Sequence, residues 1–367
     1  MAESYDIVVV GAGPAGSNAA RTAAQRGAKV LLIDRKQRIG LPVQCAELVS
    51  QWISRHASFT PKSIIQSTGE MIVHFPDRTT FKMKGLGYML DRSLFDKELA
   101  TSAILAGAEV STGTKALEFS SGGILIQRDN KKEWVRAKVI IGADGVHSTV
   151  ARSTQQPSLK VMAALQYEVV LFEPQSYVDI FFHPDYEGGY GWFFPKGRTA
   201  NVGIGVIAPK TAGLPELLND FLNLLNRSGK LPRIEIVSKT GGSIPCEPHQ
   251  QAVFGNILLA GDAAGHAHPI TGAGILNGIL GGEMAGRISA EAVARGDMNH
   301  LANYEAEWRE AFGNSLSYGV YKRGVLENNW NKPGIDFNSL IRKTWVGFKE
   351  YYEERRKRLT PPNLTFP

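Results

Sequence analysis

Three glycines near the N-terminus have the spacing of a binding site for an anionic ligand. Gly11, Gly13 and Gly16 form the pattern G-x-G-x-x-G between the apolar run Tyr5–Val10 and the small helix-forming residues Ala15–Gln25. In such a turn the first glycine permits a tight bend, the second lets a pyrophosphate approach the backbone, and the third lets the helix pack on the strand. The N–H groups and the dipole of the helix favour an anion there. We therefore predict a strand, a phosphate-binding turn and a helix.

An acidic residue follows at the spacing that recognition of a ribose requires. The segment KVLLID predicts the next strand, which ends in Asp34 and is followed by Arg35. A carboxylate at this position accepts hydrogen bonds from a ribose diol. Strand, glycine turn, helix, strand and acid in register predict a dinucleotide site. The sequence contains no second unit of this kind, which disfavours the two-dinucleotide architecture of disulfide reductases.

Two later strands also end in a glycine and aspartate turn. The segment VIIGADGVHSTVAR predicts a strand that stops at Asp144 and Gly145 before a helix begins. Further along, the strand before Gly261 and Asp262 is followed by a glycine-rich loop and a long helix of small residues. A carboxylate at the end of such a strand can bind a polyol, and the backbone of the loop can lie against a flat ring.

Together these segments resemble the FAD-binding signature of the p-hydroxybenzoate-hydroxylase-like flavoproteins. The resemblance implies that Asp34 holds the adenosine ribose, that Asp262 holds the ribityl chain and pyrophosphate region, and that the glycine-rich loop cradles the isoalloxazine. The segment YMLDRSLFDKEL resembles the one in which an arginine, here Arg92, meets the pyrophosphate region. The residues that we expect at FAD are Gly11, Gly13, Ala15, Gly16, Asp34, Arg35, Cys45, Ala46, Arg92, Asp144, Gly145, Gly261, Asp262, Pro269, Gly272, Ala273, Gly274 and Ile275.

Alternating aromatic residues form a second pattern with a chemical use. In the segment GGYGWFFPKG, Tyr190, Trp192 and Phe194 would share one face of a strand, because alternate side chains of a strand point to the same side. Such a face suits an isoprenoid tail, a planar ring or the interior of an ordinary core. The residues alone leave these uses open.

The same segment resembles the Y-x-W-x-F-P motif of the geranylgeranyl reductase family. The segment LPVQCAELVS is similar to the cysteine-containing loop of that family, with Cys45 and Glu47 in the expected region. The sequence departs from the family pattern at Glu187, where a proline is common, and at His268, where a smaller polar residue is expected. The resemblance implies a substrate-binding wall made of Tyr190, Trp192, Phe194 and Pro195.

The resemblance to geranylgeranyl reductases also implies a reaction, in which reduced FAD delivers a hydride to a C=C bond of a polyprenyl chain on a lipid. An isolated alkene accepts a hydride poorly, so an acid near the flavin has to polarise or protonate it. We expect that acid among Cys45, Tyr190, His266 and His268, or in a water that they hold. A thiol with an ordinary pKa of about 8.5 is a weak acid, which suits Cys45 more to positioning. The electrons would come from NAD(P)H, which the resemblance places transiently near Asp144, or from a reduced protein donor.

Other flavoprotein activities are compatible with the same cofactor motifs. An FAD monooxygenase that hydroxylates an aromatic ring is one, although the aromatic motif and the cysteine loop argue against it. A flavin halogenase is another, but Gly191 and Phe193 stand between the aromatic residues here and the second tryptophan is missing. A flavoprotein that passes electrons to a membrane quinone is a third, and the sequence has no cysteine set for a cluster.

These motifs require a discontinuous α/β fold with a Rossmann-like FAD-binding domain and a β-rich substrate domain. With 367 residues, 43% of them hydrophobic, the chain is long enough for two domains. Periodicity predicts a hairpin around Pro76, strands between residues 161 and 208, and an amphipathic helix at Leu214–Arg227. Aromatic residues after residue 296, including Tyr304, Trp308 and Phe312, are expected to serve packing. The predicted boundaries are 1–63, 88–160 and 252–296 for the FAD-binding domain, 64–87 and 161–251 for the substrate domain, and 297–367 for a C-terminal helical region.

Composition and charge bound the cellular setting. No run approaches the roughly 18 consecutive apolar residues of a membrane span, and Cys45 and Cys246 form neither a disulfide framework nor a zinc pattern. We expect a cytoplasmic protein without a metal site or a nucleic-acid partner. Of the net charge of +6, +4 lies in residues 341–367. Arg355–Arg358 could contact lipid head groups at the inner face of the membrane, or simply belong to a solvated helix end.

Overall fold

The computed structural model describes residues 3–208 and 210–353. The strands are, in chain order, β1 (Ser4–Val10), β2 (Val30–Ile33), β3 (Leu48–Ser50), β4 (Ile64–His74), β5 (Thr80–Leu90), β6 (Glu109–Ser111), β7 (Lys115–Ser120), β8 (Gly123–Arg128), β9 (Lys131–Gly142), β10 (Val161–Val170), β11 (Val178–Phe181), β12 (Tyr190–Lys196), β13 (Thr199–Val206), β14 (Ile236–Pro245), β15 (Val253–Phe254) and β16 (Ile257–Leu259). The α-helices are α1 (Pro14–Gln25), α2 (Arg92–Leu105), α3 (Thr149–Ser153), α4 (Leu214–Arg227), α5 (Ile275–Arg295), α6 (Asn303–Trp308), α7 (Asn314–Asn329) and α8 (Phe337–Thr344).

The first sheet contains the predicted dinucleotide-binding unit. Its strands run in the order β15-β16-β9-β1-β2-β6, and β8 and β7 extend it from β9. Strand β1 pairs in parallel with β2 and β9. Ile7, Val8 and Val9 are fully buried, as expected for a parallel strand covered on both faces. The strands predicted on either side of the glycine turn are confirmed.

Helices α1 and α5 pack closely because their facing residues are small. A Cβ atom on Gly282 would lie 2.0 Å from the carbonyl oxygen of Ala15, and one on Gly286 would lie 2.2 Å from the carbonyl oxygen of Ala19. A Cβ atom needs far more room than this, so only glycine fits. The small residues of the predicted long helix therefore bring the first half of α5 next to the start of α1, on which the first glycine motif lies.

The second sheet carries the aromatic segment. Its order is β14-β10-β13-β12-β11-β4-β5-β3, with β11 and β4 parallel and the other neighbours antiparallel. The predicted hairpin corresponds to β4 and β5, and the predicted strands after residue 160 correspond to β10–β13. Helix α4 has the predicted bounds, and its Leu218 and Phe221 pack with Phe193 on one face of the sheet.

Two strands of the second sheet were not predicted from the sequence. Strand β14 is an edge strand with mostly exposed side chains, held by backbone pairing to β10, so it has no apolar alternation for a pattern to detect. Strand β3 pairs with β5, although residues 48–50 had been assigned to the FAD-binding domain. The chain therefore enters the second sheet before residue 63 and leaves it after residue 87, since β5 ends at Leu90. The rest of the domain division stays a prediction.

The helices after residue 296 complete both cores. Tyr304, Trp308 and Phe312 are buried in the core of the first sheet, as the sequence analysis expected. Trp345 and Phe348 pack on the second sheet with the aromatic motif. The basic residues 355–358 lie outside the described part of the chain. Across the ranges that are described, no helix is both long enough and apolar enough to cross a bilayer.

Candidate active site

The glycine turn between β1 and α1 leaves backbone open where a pyrophosphate would lie. Gly11 has a φ of +101°, and a Cβ atom there would lie 2.4 Å from the carbonyl oxygen of Ala143. On Gly16 it would lie 1.8 Å from the carbonyl oxygen of Gly11, whereas on Gly13 it would meet no atom within 4 Å. Helix α1 starts at Pro14 without a side-chain cap, which suits an anion. Gly11 and Gly16 therefore serve packing, and Gly13 faces open space.

Asp34 stands at the end of β2 and joins two loops. Its Oδ2 atom accepts a hydrogen bond of 2.7 Å from the N–H of Ala12, and its Oδ1 atom accepts one of 2.8 Å from the N–H of Lys36. Each carboxylate oxygen has a further lone pair for a ribose hydroxyl. Arg35 is exposed and, with Lys115, lines a cleft of about 290 Å³. The surroundings of Asp34 therefore fit the adenosine ribose expected there.

Asp262 is half-buried and lies within the electrostatic influence of Arg92. Within residues 3–208 and 210–353 no group donates a hydrogen bond to its carboxylate. Burial raises the pKa of Asp262, and Arg92 opposes that rise. A Cβ atom on Gly274 would lie 3.1 Å from its Oδ1 atom, and α5 begins directly afterwards without a side-chain cap. The geometry fits a polyol, because hydroxyl groups would supply the hydrogen bonds that the carboxylate lacks.

Hydrogen bonds with the side chains of His268 and Tyr190 hold the loop Pro269–Gly274. The Nδ1 atom of His268 accepts hydrogen bonds of 3.3 and 3.4 Å from the N–H groups of Ile270 and Thr271. The hydroxyl group of Tyr190 donates a bond of 2.6 Å to the carbonyl of Thr271. Burial lowers the pKa of His268 to about 4, so its ring is neutral at pH 7. His268 therefore shapes the loop as an acceptor, and Tyr190 connects the loop to the aromatic strand.

Arg323 is a residue of this site that the sequence analysis did not find. It lies on α7, is 3% exposed, and its Nε atom donates a hydrogen bond of 2.6 Å to the carbonyl of Pro269. Its Nη1 atom donates bonds of 3.1 Å to the carbonyl of Gly188 and to the Oε1 atom of Glu327. One guanidinium thus joins the loop, the turn before β12 and the C-terminal helices. No motif marks it, because its partners are mostly backbone carbonyls distant in sequence.

Cys45, Arg92 and Asp262 come together although three separate segments carry them. The guanidinium of Arg92 binds Asp96 through two hydrogen bonds, of 2.8 and 2.9 Å. Burial would lower the pKa of Arg92, but Asp96 and Cys45 raise it overall. Burial raises the pKa of the Cys45 thiol, and Arg92 lowers it. Arg92 is therefore the positive group shared by the thiol and by Asp262, while its contact with a pyrophosphate stays a prediction.

Strand β12 shows the predicted alternation. Tyr190, Trp192 and Phe194 lie in one buried cluster, and Phe193 lies in the cluster on the other face. Pro195 follows Phe194 on the same strand and is buried, and its place in the substrate-binding wall stays a prediction.

The C-terminal segment covers this aromatic face. The rings of Tyr190 and Trp345 meet edge to face with their centroids 4.9 Å apart. The indole N–H of Trp192 donates a hydrogen bond of 2.9 Å to the Oε1 atom of Gln166. The hydroxyl proton of Tyr190 is already donated to the carbonyl of Thr271, so this tyrosine is poorly suited to act as an acid.

His266, a predicted catalytic residue, lies in an apolar environment. Its ring is fully buried, with ring centroids 4.9 Å from Trp308 and 5.0 Å from Phe312. Neither ring nitrogen has a hydrogen-bond partner in the part of the chain that the structure describes. Burial lowers the pKa of His266 to about 3, so the ring is neutral at pH 7. A neutral ring enclosed by core aromatics is cut off from a substrate, which argues against the predicted role.

Asp144 binds the N-terminal turn of α3, whose N-cap residue is Ser148. Its Oδ2 atom accepts a hydrogen bond of 2.6 Å from the N–H of Thr149, and its Oδ1 atom accepts one from the hydroxyl of Ser148. The open side of this turn belongs to Gly145, where a Cβ atom would meet nothing within 4 Å. A cleft of about 230 Å³ beside it is lined by residues that include His147, Arg152 and His249.

Comparison with known proteins decides the family. Residues 6–145 match the family of FAD dependent oxidoreductases, and residues 161–244 match the geranylgeranyl reductase catalytic domain. A digeranylgeranylglycerophospholipid reductase of Methanococcoides burtonii is 36% identical to this chain in an alignment 370 positions long. The alignment covers 93% of this chain and 88% of the relative. The chain belongs to the geranylgeranyl reductase family. The protein is thus an FAD-dependent oxidoreductase, which confirms the predicted cofactor and enzyme class.

Solved structures agree with membership of the geranylgeranyl reductase family. A geranylgeranyl bacteriochlorophyll reductase-like protein of Thermoplasma acidophilum has 27% identity and a TM-score of 0.84, over 97% of this chain and 100% of that one. A myxobacterial chondrochloren halogenase has a TM-score of 0.75 at 16% identity, over 97% and 90% of the two chains. At that identity the likeness shows the fold alone. The predicted α/β fold class is therefore confirmed.

Proposed function

We propose that this reductase saturates C=C bonds in the geranylgeranyl chains of a glycerophospholipid. The M. burtonii relative is named for such a lipid and covers most of the chain. The observation that carries the proposal is the hydrogen bond of 2.6 Å from Tyr190 to Thr271. It attaches the aromatic strand to the loop expected at the flavin ring. We therefore propose that a lipid chain bound beside this strand has its double bond next to that loop.

The residues that hold the cofactor divide into two groups. When bound and reduced, FAD supplies the hydride that adds to the double bond. Gly13 and Asp34 are proposed to bind the adenosine half, and Asp262 and the loop Pro269–Gly274 the ribityl and ring half. The uncapped N-termini of α1 and α5 favour negative charge beside them.

Cys45 is the proposed holder of the proton. Among the predicted acids, Tyr190 donates to a carbonyl, His266 is enclosed, and His268 is neutral and uses Nδ1 as an acceptor. Burial raises the pKa of Cys45, so Sγ carries a proton at pH 7. Transfer of that proton to the alkene carbon leaves a thiolate, which Arg92 stabilises and which water reprotonates.

The electron donor and the membrane contact complete the proposal. Either NAD(P)H or a reduced protein is proposed as the donor, and the open turn at Gly145 is where a pyridine nucleotide would approach. A lipid substrate favours binding at a membrane surface, with Arg355–Arg358 as the proposed contact. The oxygenase and quinone alternatives have less support, because the matching catalytic domain is that of geranylgeranyl reductases.

Anaerobic turnover tests the proposal. The holoenzyme is reduced chemically and mixed with a digeranylgeranyl glycerophospholipid, and the lipid is analysed by mass spectrometry. We expect a gain of two hydrogens per saturated bond, with an equal amount of flavin reoxidised. Recovery of the lipid unchanged, together with rapid reoxidation by a quinone analogue or by oxygen with an aromatic compound, would show that the proposal is wrong.

A further inference from the structure

Glu47 is a buried carboxylate in a backbone conformation that few glutamates adopt. Its φ is +66° and its side chain is 2% exposed. Such a conformation persists only where surrounding contacts hold it. The Oε1 atom accepts a hydrogen bond of 3.0 Å from the N–H of Arg92, and Oε2 accepts bonds of 2.6 Å from Lys196 and 2.9 Å from Asn201. The carboxylate is therefore fastened to α2, β12 and β13.

The same contacts fix the loop that carries Cys45. The N–H of Glu47 donates a hydrogen bond of 3.2 Å to the Sγ atom of Cys45. Gln166 donates one of 3.1 Å to the carbonyl of Cys45, and Asn201 donates one of 3.2 Å to the carbonyl of Ala46. Three successive residues are thus bonded to side chains of the second sheet, which hold the backbone that carries the thiol.

We propose that Glu47, together with Lys196 and Asn201, is a positioning unit that orients the Cys45 thiol toward Arg92. The unit acts through Cys45. Its effect on the thiol stands independently of the substrate, whereas its effect on lipid reduction rests on the proposed function.

The ion pair is better explained by positioning than by stability. The Nζ atom of Lys196 lies 2.6 Å from Glu47, and both side chains are largely buried. A buried pair of this kind is often no more stabilising than apolar residues of the same size, although removal of one partner alone is costly. What apolar residues could not supply is the set of directed hydrogen bonds that holds the loop in register.

Burial and the charged groups around the Cys45 thiol determine how its pKa would change if the loop became exposed to water. Arg92 and Asp96 face Cys45 from α2, and Glu47 faces it from its own loop. Burial raises the pKa of Cys45 most, Arg92 and the N–H of Glu47 lower it, and the two carboxylates raise it. A loop released into water would lose the effect of burial. The pKa of the thiol would then fall toward the ordinary value of about 8.5.

Alkylation of Cys45 as a function of pH tests the unit directly. The double variant Glu47→Gln with Lys196→Met removes both charges and leaves no unpaired one. Iodoacetamide labelling of the holoenzyme is followed by mass spectrometry, which separates Cys45 from Cys246. We expect the apparent pKa of Cys45 to fall and its alkylation at pH 7 to accelerate by about tenfold, a factor equivalent to 1.4 kcal/mol. FAD content is measured in parallel, so that the Cys45 profiles are compared at equal cofactor load.

Two further variants keep the test decisive. Gln166→Met removes one neutral hydrogen bond to the loop and also the acceptor of the Trp192 indole N–H. It should shift the profile less, in the same direction, even where the double variant does not fold. Lys138→Met removes a lysine from an exposed ion pair of 2.7 Å with Asp6 on the first sheet and should not shift it. A lower melting temperature with an unchanged Cys45 profile in the double variant and in Gln166→Met would overturn the inference. A shifted profile in an enzyme that leaves the lipid unreduced would overturn the proposed function alone.

Discussion

The hydroxyl group of Tyr190 lies 2.6 Å from the carbonyl oxygen of Thr271 and donates a hydrogen bond to it. The first residue belongs to the aromatic strand of the second sheet, and the second belongs to the loop before α5. This bond connects the expected substrate wall to the expected flavin ring. Arg323 reinforces the connection from α7, because it binds both the carbonyl of Pro269 and the carbonyl of Gly188.

Replacement Tyr190→Phe should separate the two elements with little change in packing. The buried carbonyl loses its donor, which costs about 1 kcal/mol of unfolding free energy. We expect kcat for lipid reduction to fall about tenfold, equivalent to 1.4 kcal/mol, with FAD content retained. Tyr186→Phe is the matched control, since Tyr186 is buried in the cluster on the other face of the sheet. Equal activities of the two variants would contradict a connecting role for Tyr190.

The glycines of the first motif should differ in what they do. Gly16→Ala places a Cβ atom 1.8 Å from the carbonyl oxygen of Gly11, so the apoprotein should be destabilised. Gly13→Ala meets no protein atom within 4 Å, so the apoprotein should fold normally and lose FAD affinity. Melting of the apoproteins and FAD titration would measure both effects. A stable Gly16→Ala protein, or undiminished FAD affinity in Gly13→Ala, would speak against this division.

Asp262→Asn should stabilise the apoprotein and weaken cofactor binding. Burial raises the pKa of this carboxyl in the folded state, so the folded protein holds the proton more tightly than the unfolded chain does. Stability from this group is therefore lost as the pH rises above the ordinary value of about 3.9. At pH 7 the amide variant escapes that loss, but it offers the ribityl hydroxyls one acceptor fewer. The free energy of unfolding of the apoprotein should rise, whereas the FAD affinity measured by titration should fall. A fall in both quantities would contradict the assignment of Asp262 to the ribityl chain.

His266→Leu should leave lipid reduction within about twofold of the wild type, because the ring is isolated from any substrate. The folded pKa of about 3 lies below the ordinary 6.5, so the folded state resists protonation. The stability contributed by the neutral ring is present above pH 6.5 and is lost as the pH falls toward 3. Urea unfolding of the apoprotein between pH 7 and pH 4 should show a shallower decline in the variant, by about 1.4 kcal/mol per pH unit. His268 adds a decline of its own down to about pH 4. Loss of activity at unchanged stability would restore His266 as a catalytic candidate.

The cofactor half of the site was accessible from the sequence for a local reason. Gly11, Gly16 and Asp34 act on neighbours a few residues away or on the adjacent parallel strand, so their spacing along the chain reflects their spacing in space. The long helix after Gly274 was predictable for the same reason, because small residues at helical intervals allow another helix to pack closely against it. Edge strand β14 was missed because backbone pairing to β10 requires no particular side chains.

By itself the sequence determined the glycine turn, the FAD signature, the alternating aromatic strand and the order of the main elements. Tertiary structure alone decided that Arg323 holds the loop Pro269–Gly274, that Glu47 fastens the loop of Cys45, and that His266 is enclosed by Trp308 and Phe312. The physical reason is that a buried polar group depends on partners from distant segments. The spacing of residues along the chain does not show which distant segments meet. Hydrophobic periodicity and backbone freedom, in contrast, are properties of a short stretch of chain.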